Sequence, residues 1–343
     1  MLVERKKAFR EKYPDKHLLS DSISETESYL KKMGWISNTQ QVKSIEKPAE
    51  DSMSLVLKVY LSEEREVIIK QSRPWVEKNP QIDAPEHRLD VENQYYKVIS
   101  GNPVLARMSP KVLGYDESSS VMLMSDLGEY TDLTFIYGSN SEISVEDLTS
   151  CFNYLNNLQK QPIPIDFPEN QTMKMVNHEN IFQRPFQNRD DNDLDSIQPG
   201  LKVLSQVIRK DTELKKSVER LGKAYLSIGS CLLHGNFYTR NLLKTERGLV
   251  IRNPEYAYCG PYEWDYSKFM AHLYLAQTPK PLINQALDLI HNSDEFDFFQ
   301  FAGFAGIEII QRLIGSNELP IALSIDEKAA LIDKATEWIK FGI

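Results

Sequence analysis

Cysteine is scarce in this chain. Cys151, Cys231 and Cys259 are the only 3 in 343 residues, odd in number and without C-x-x-C spacing. The pattern argues against a disulfide framework or a metal knuckle and suggests buried free thiols in a reducing compartment. No apolar run is long enough to span a bilayer. The start, Met1-Leu-Val-Glu-Arg-Lys-Lys7, is charged with no apolar core behind it, so a signal peptide is not expected. There is no basic run, and the formal net charge is -9. Both argue against nucleic acid or an anionic membrane as the main partner. Internal repeats and low-complexity tracts are also missing. What remains is the expectation of a cytoplasmic protein, long enough to bury a full core and to form two lobes.

Taken in order, the charged segment to about Asp21 reads as a loose arm or a short surface helix. Ser24 with Glu27 forms an S-x-x-E box ahead of Tyr29, Leu30 and Met33, and Gly34 stops that helix. Leu55-Val-Leu-Lys-Val-Tyr-Leu61 and Glu66-Val-Ile-Ile-Lys70 are rich in β-formers and joined by a polar turn. The first is apolar apart from Lys58, which predicts a strand buried on both faces. Val121-Met-Leu-Met-Ser-Asp-Leu-Gly128 reads as a strand ending in a loop. From Ser144, which caps with Asp147, the periodicity turns helical through Leu148, Phe152, Leu155 and Leu158. The stretch 161–200, rich in Pro, Asn and Asp, predicts a long, partly ordered excursion. Within it, Asn177-His-Glu-Asn-Ile-Phe182 could fold back onto the body. One helix is predicted from Leu201 to Ile228, ended by Gly229, and others near 281–291, 294–314 and 326–341. Small residues in Phe301-Ala-Gly-Phe-Ala-Gly306 mark close helix packing.

The chemistry concentrates further back. Leu232-Leu-His-Gly-Asn-Phe-Tyr-Thr-Arg-Asn-Leu-Leu243 has two apolar runs flanking a polar loop, which reads as a hairpin. Leu249-Val-Ile-Arg-Asn-Pro-Glu-Tyr-Ala-Tyr-Cys-Gly-Pro261 follows, and then Glu263-Trp-Asp265. The layout resembles the catalytic and metal-binding loops of aminoglycoside-phosphotransferase-type kinases, most closely the 5-methylthioribose kinases. That family writes H-G-D and D-P-E, then G-P and an aspartate. Here His234-Gly235 is followed by Asn236, and the second loop reads Asn253-Pro254-Glu255. Both signature aspartates are asparagines.

The resemblance covers most of the chain from about Ile45. It implies an α+β, protein-kinase-like, two-lobed fold, with a small, mainly antiparallel β lobe over residues 1–125 and a larger, mainly helical lobe over 126–343. It implies ATP and Mg2+ as cofactors, and as partners a nucleotide and a small-molecule ligand. Lys70 would contact the phosphates and Glu92 would pair with it, although taken alone both are ordinary surface charges. The backbone after Val121 would meet adenine near a hinge at 125–128. Ser52 and Ser54 would lie beside the nucleotide, in a turn where relatives carry glycines so that backbone amides can approach phosphate. Ala49-Glu-Asp51-Ser-Met-Ser54 has no glycine, and Asp51 adds a repelling charge.

The resemblance makes His234, Asn236 and Asn241 the catalytic-loop residues, Asn253 and Glu255 the metal ligands, and Asp265 a brace for the loop. Arg312, in a Gln311-Arg-Leu-Ile-Gly315 segment similar to R-R-x-x-G, and His178 are candidate substrate contacts. Asn236 can accept a hydrogen bond from a hydroxyl but cannot take its proton. General-base catalysis contributes roughly 10²–10⁴ in rate, so the exchange alone would cripple transfer. Asn253 is a neutral ligand where hard Mg2+ favours carboxylate. On a plainer reading, both asparagines are turn residues. Two functional readings stand: an impaired enzyme or pseudokinase that binds a nucleotide or small ligand, and an active ATP-dependent kinase of a sugar or alcohol hydroxyl. A third, other transfer chemistry in a kinase fold, has no residue that identifies it.

Overall fold

The computed structural model describes residues 2–48, 53–138, 141–187, 194–290, 296–315 and 319–342. The chain divides into two compact units, Met1–Glu129 and Tyr130–Ile343. In the first, helices α1 (Leu2–Lys12) and α2 (Ile23–Lys32) precede strands β1 (Val42–Glu46), β2 (Leu55–Leu61) and β3 (Glu66–Gln71). Helices α3 (Arg88–Ile99) and α4 (Pro103–Arg107) and strands β4 (Val112–Asp116) and β5 (Val121–Ser125) complete it. The strands form an antiparallel sheet in the order β1-β2-β3-β5-β4.

Period-two alternation decides what each face carries. Leu55, Leu57, Val59, Val67, Ile69 and Leu123 pack with Tyr29 and Leu30 of α2 into one core. The opposite face of β2 is only half-buried at Val56, Lys58 and Tyr60, so β2 alternates instead of being buried on both sides. Lys58 lies on that half-covered face because Glu66 at 2.7 Å and Asp126 at 3.4 Å neutralise it. The same alternation puts Lys70 on the face away from the core.

The predicted cap of α2 shifts by two residues. Two S-x-x-E patterns overlap here, and Ser22, not Ser24, accepts from the Glu25 N–H. Glu27 is released to accept from the Val42 N–H at 2.8 Å and to pair with Lys31. The charged N-terminal segment is a helix, tied down where Phe9 and Leu18 pack on Trp75.

The second unit is mainly helical. After β6 (Tyr130–Asp132) come α5 (Val145–Leu158), α6 (Gln171–His178), α7 (Leu194–Ile197), α8 (Leu201–Lys210) and α9 (Thr212–Leu226). Then follow β7 (Cys231–Leu233), β8 (Leu242–Thr245), β9 (Gly248–Ile251), β10 (Tyr258–Gly260), α10 (Trp264–Leu275), α11 (Lys280–Leu289), α12 (Phe298–Ile314) and α13 (Ile325–Phe341). Ser144 caps α5, accepting from the Asp147 N–H at 3.0 Å.

Two expectations change. The helix over 201–228 is two helices, because Asp211 leaves the helix to cap α9 through the Leu214 N–H and to pair with Lys340 at 2.5 Å. The second of these ends at Leu226, short of Gly229. The partly ordered excursion expected at 161–200 contains helix α6, and the segment to Phe182 folds back as expected, with Ile181 and Phe182 buried and Phe182 against Tyr225, Trp264 and Phe304.

The helix-packing expectation for 301–306 holds. A Cβ on Gly303 would lie 2.6 Å from Leu221 of α9, and one on Gly306 would lie 2.6 Å from the Ala335 carbonyl of α13. No described helix is long and apolar enough to cross a membrane.

Candidate functional site

Lys70 and Glu92 meet as the sequence pairing predicts. Nζ lies 2.6 Å from Glu92 Oε2, and the side chains are 3% and 1% exposed, so two opposite charges share a dry site on one face of the sheet. Arg88, one turn earlier on α3, donates to the carbonyls of Arg73, Pro85 and Met53, which pins the start of β2 to the helix that carries Glu92. Ser54 is buried at that start. Ser52, with Ala49 and Asp51, lies outside the described residues.

In the second unit the two apolar runs flanking the first loop do not pair with each other. β7 pairs with β10, while β8 forms a hairpin with β9 and takes β6 on its other edge. The polar turn Glu246–Arg247 between β8 and β9 is short enough for a hairpin, whereas the loop between β7 and β8 is held open by specific bonds. Asp265, at the start of α10, accepts the N–H groups of His234 at 2.6 Å and Gly235 at 3.0 Å. Trp264 Nε1 donates to the Gly235 carbonyl at 3.1 Å. Glycine is required at 235, since φ is +76° and a Cβ would stand 2.1 Å from the Tyr256 carbonyl. Burial pushes the Asp265 carboxyl up to about 7, against the pull of its two N–H donors and of Lys268.

His234 joins the first loop to the second. Its Nδ1 accepts from the Asn236 N–H at 3.3 Å, which leaves the proton on Nε2, and that N–H donates to the Arg252 carbonyl at 3.0 Å. Burial holds the imidazole down at about 3, so it is neutral, with both nitrogens engaged. Such a ring orients backbone.

The three asparagines are linked. Asn241 Nδ2 donates to the Asn236 carbonyl at 2.9 Å, so its Oδ1 must face the other way. There it accepts from Asn253 Nδ2 at 3.2 Å. Asn253 has φ +60°, a left-handed conformation that asparagine tolerates better than most residues. Glu255 is buried, and Asn170 Nδ2 donates to the carbonyls of both Glu255 and Ala257, fixing the turn after Pro254.

Of the two substrate candidates, Arg312 stands against the first loop, its guanidinium 4.8 Å from the Tyr238 ring centroid. His178 stacks on Phe182 and Tyr225, beside Gly222. The two have no contacting residue in common among these contacts.

No family model matches the chain. Over 277 residues it is 23% identical to the methylthioribose kinase of Geobacillus sp. (strain WCH70), across 68% of this chain and 68% of that protein. With the methylthioribose kinase of Exiguobacterium sibiricum it shares 33% identity over 99 residues, so that match spans 29% of this chain and only 25% of the relative's length. Methylthioribose kinases are thus its relatives, at low identity. Among solved structures, LicA in complex with AMP is similar at a TM-score of 0.54 and 11% identity, covering 95% of this chain and 100% of that one. Spectinomycin phosphotransferase in complex with ADP and spectinomycin follows at 0.52 and 12%, covering 94% and 98%. The fold is protein-kinase-like.

Within this kinase-like fold the sequence reading missed a buried ionic cluster behind the first loop. Glu308 of α12 accepts from Lys268 Nζ at 2.9 Å, His272 Nε2 at 3.1 Å and Arg312 Nε at 2.8 Å. His272 Nδ1 in turn accepts from Tyr137 Oη at 2.5 Å, and Tyr137 meets Thr239 Oγ1 of the loop at 2.9 Å. Burial opposes charge on Glu308, but Lys268 and Arg312 beside it win and hold its carboxyl well below the usual range. The available signal was a lone glutamate inside the apolar helix Phe298–Ile314, with Lys268 and His272 spaced i, i+4 on another.

Proposed function

We propose that this chain is a nucleotide- and small-ligand-binding relative of the small-molecule phosphotransferases in which phosphoryl transfer is impaired or lost, a pseudokinase acting in the cytoplasm. The reading rests on the bond from Asn253 Nδ2 to Asn241 Oδ1. Mg2+ asks for nearly octahedral oxygen ligands, and carboxylates serve it best. At this point the chain offers an N–H aimed at the neighbouring oxygen. Glu255 is the one carboxylate in the Asn253-Pro254-Glu255 loop, and the site as folded does not fit a tightly held Mg2+.

Other parts retain a binding role. Lys70, held forward by Glu92, supplies the cation for a nucleotide phosphate, with Ser54 at the start of β2 and Ser52, outside the described residues, as further candidate contacts. His234 and Asp265 keep the first loop in shape as positioning residues. Asn236 presents an amide in place of the base. Arg312 is the better placed of the two ligand contacts because it lies against Tyr238; His178 is the second candidate.

An active ATP-dependent kinase of a sugar or alcohol hydroxyl is the alternative, favoured by the intact Lys70–Glu92 pair and the complete Asp265 brace. Calorimetric titration with ATP, with and without Mg2+ and with and without 5-methylthioribose, separates the two. Weak binding that Mg2+ changes little is expected. Tight, strongly Mg2+-dependent binding, together with ATP consumption, would establish the active enzyme.

A further inference from the structure

A cavity of about 590 Å³ lies within the first unit, away from Lys70, between one face of α3, the C-terminal end of α4 and β4. On α3 and at its C-cap the residues Asn93, Tyr96, Lys97 and Ser100 line it, spaced i, i+3, i+4 and i+7, so they form a single stripe. β4 closes the other side with Val112 and Tyr115. Tyr115 is itself anchored by its hydroxyl to Asp90 of α3. Glu92, the neighbour of Asn93, points to Lys70 instead.

Asn93 is the reason to read this cavity as a site. The residue is 3% exposed, and its amide has no hydrogen-bond partner among the described residues. The amide is not sealed from solvent, so its unmade hydrogen bonds are open to whatever enters the cavity. The cavity it lines has the size of a small-molecule pocket, where apolar walls with a few convergent polar groups are the rule. Lys97 and Lys111 are the charged residues of the lining. Both are exposed, neither has an ion partner among the described residues, and no acidic side chain shares the wall with them.

We propose that this cavity is a binding site for a small aromatic carboxylate, distinct from the nucleotide and substrate positions. The ring would lie between α3 and β4, against Tyr96, Ile99 and Val112. The Asn93 amide would donate to the carboxylate, and Lys97 and Lys111 would balance its charge at the rim. Nothing in this assignment depends on nucleotide binding, so its failure and that of the functional reading are separate results.

The probe is naphthalene-2-carboxylate, titrated into the full chain without nucleotide and followed by NMR or calorimetry, with naphthalene-2-methanol as the uncharged control. Saturable binding of the carboxylate is expected, at least tenfold tighter than the alcohol. Lys111→Glu, an exposed change that leaves the fold alone, should weaken it at least tenfold, and Asn93→Leu, close in volume, should abolish it. Should Asn93→Leu not fold, Lys111→Glu together with Lys97→Glu carries the test. No binding by the wild type, equal binding of acid and alcohol, or affinity unchanged in the rim variants would overturn the proposal.

Discussion

Lys70 and Glu92 form an ion pair of 2.6 Å with both side chains buried. Removing one member strands a charge in a low-dielectric site, at a cost of roughly 3–5 kcal/mol, whereas removing both leaves no charge to strand. Lys70→Met and Glu92→Gln should each lower stability strongly in urea unfolding, and the double variant should lose clearly less than the sum. Additive losses would mean that the pair is solvated and carries no stored charge for a phosphate.

Glu308 predicts a comparable dependence on charge balance, spread over three partners. It is the one carboxylate that bonds Lys268, His272 and Arg312 at once. Glu308→Gln keeps the volume and leaves Lys268 and Arg312 facing each other unneutralised, so a loss of about 3–5 kcal/mol is expected. Adding Lys268→Met should recover part of it by removing one of the two cations. A double variant no more stable than Glu308→Gln would show that packing, not charge, holds this cluster.

Acid should weaken the second unit through its histidines. Burial holds His272 at about 4, although the Glu308 hydrogen bond opposes it, and the ordinary value is 6.5. The unfolded chain therefore takes up this proton near 6.5, while the folded chain waits until about 4. Stability present above 6.5 is lost as pH falls toward 4, in total on the order of 3 kcal/mol. His234, held at about 3, acts in the same direction. Asp265, raised to about 7, acts oppositely, gaining as pH falls below 7. Two histidines outweigh one carboxylate, so net stability should drop between pH 6.5 and 4. Within that window His272→Gln should flatten the slope by about 1.4 kcal/mol per pH unit. A slope that the variant leaves unchanged would mean that His272 is protonated in the folded chain.

The sequence made legible whatever is local. The β-branched runs gave β2 and β3, and the order of Lys70 ahead of Glu92 gave their pairing. Asp265 could be read as a brace because it follows His234-Gly235 and Gly260-Pro261 in the order of the kinase family the loops resemble. What stayed hidden depends on partners distant in the chain. Glu308 meets Lys268 across 40 residues, and neither position carries a motif. Asp211 breaks a continuous helical pattern because Lys340, 129 residues on, rewards the capping geometry. Two overlapping S-x-x-E patterns offered two caps for α2, and only the demand of the Val42 N–H for Glu27 selects between them. The β7–β8 loop reads as a hairpin because flanking apolar runs are the local signal, while the partner of β7 is β10.

The asparagine pair gives the most specific prediction. Asn241 Oδ1 is turned toward residue 253 by its own amide bond to the Asn236 carbonyl. Asn253→Asp replaces a donor with a carboxylate, so two oxygens would face each other about 3.2 Å apart with no proton between them. That repulsion should lower the melting temperature of the metal-free variant. It should also create what Mg2+ requires, and at a concentration 100 times its Kd the ion should restore about 2.7 kcal/mol. The wild type should show little such shift. Asn236→Asp should give none, because it changes the hydroxyl acceptor and not the metal ligand. Transfer needs both groups in one transition state, so ATP consumption with a panel of sugar and alcohol acceptors should appear only in the double variant, and incompletely, since the segment before Ser54 still has no glycine. A wild type as active as the double variant, or an Asn253→Asp protein indifferent to Mg2+, would show that residue 253 does not control the metal.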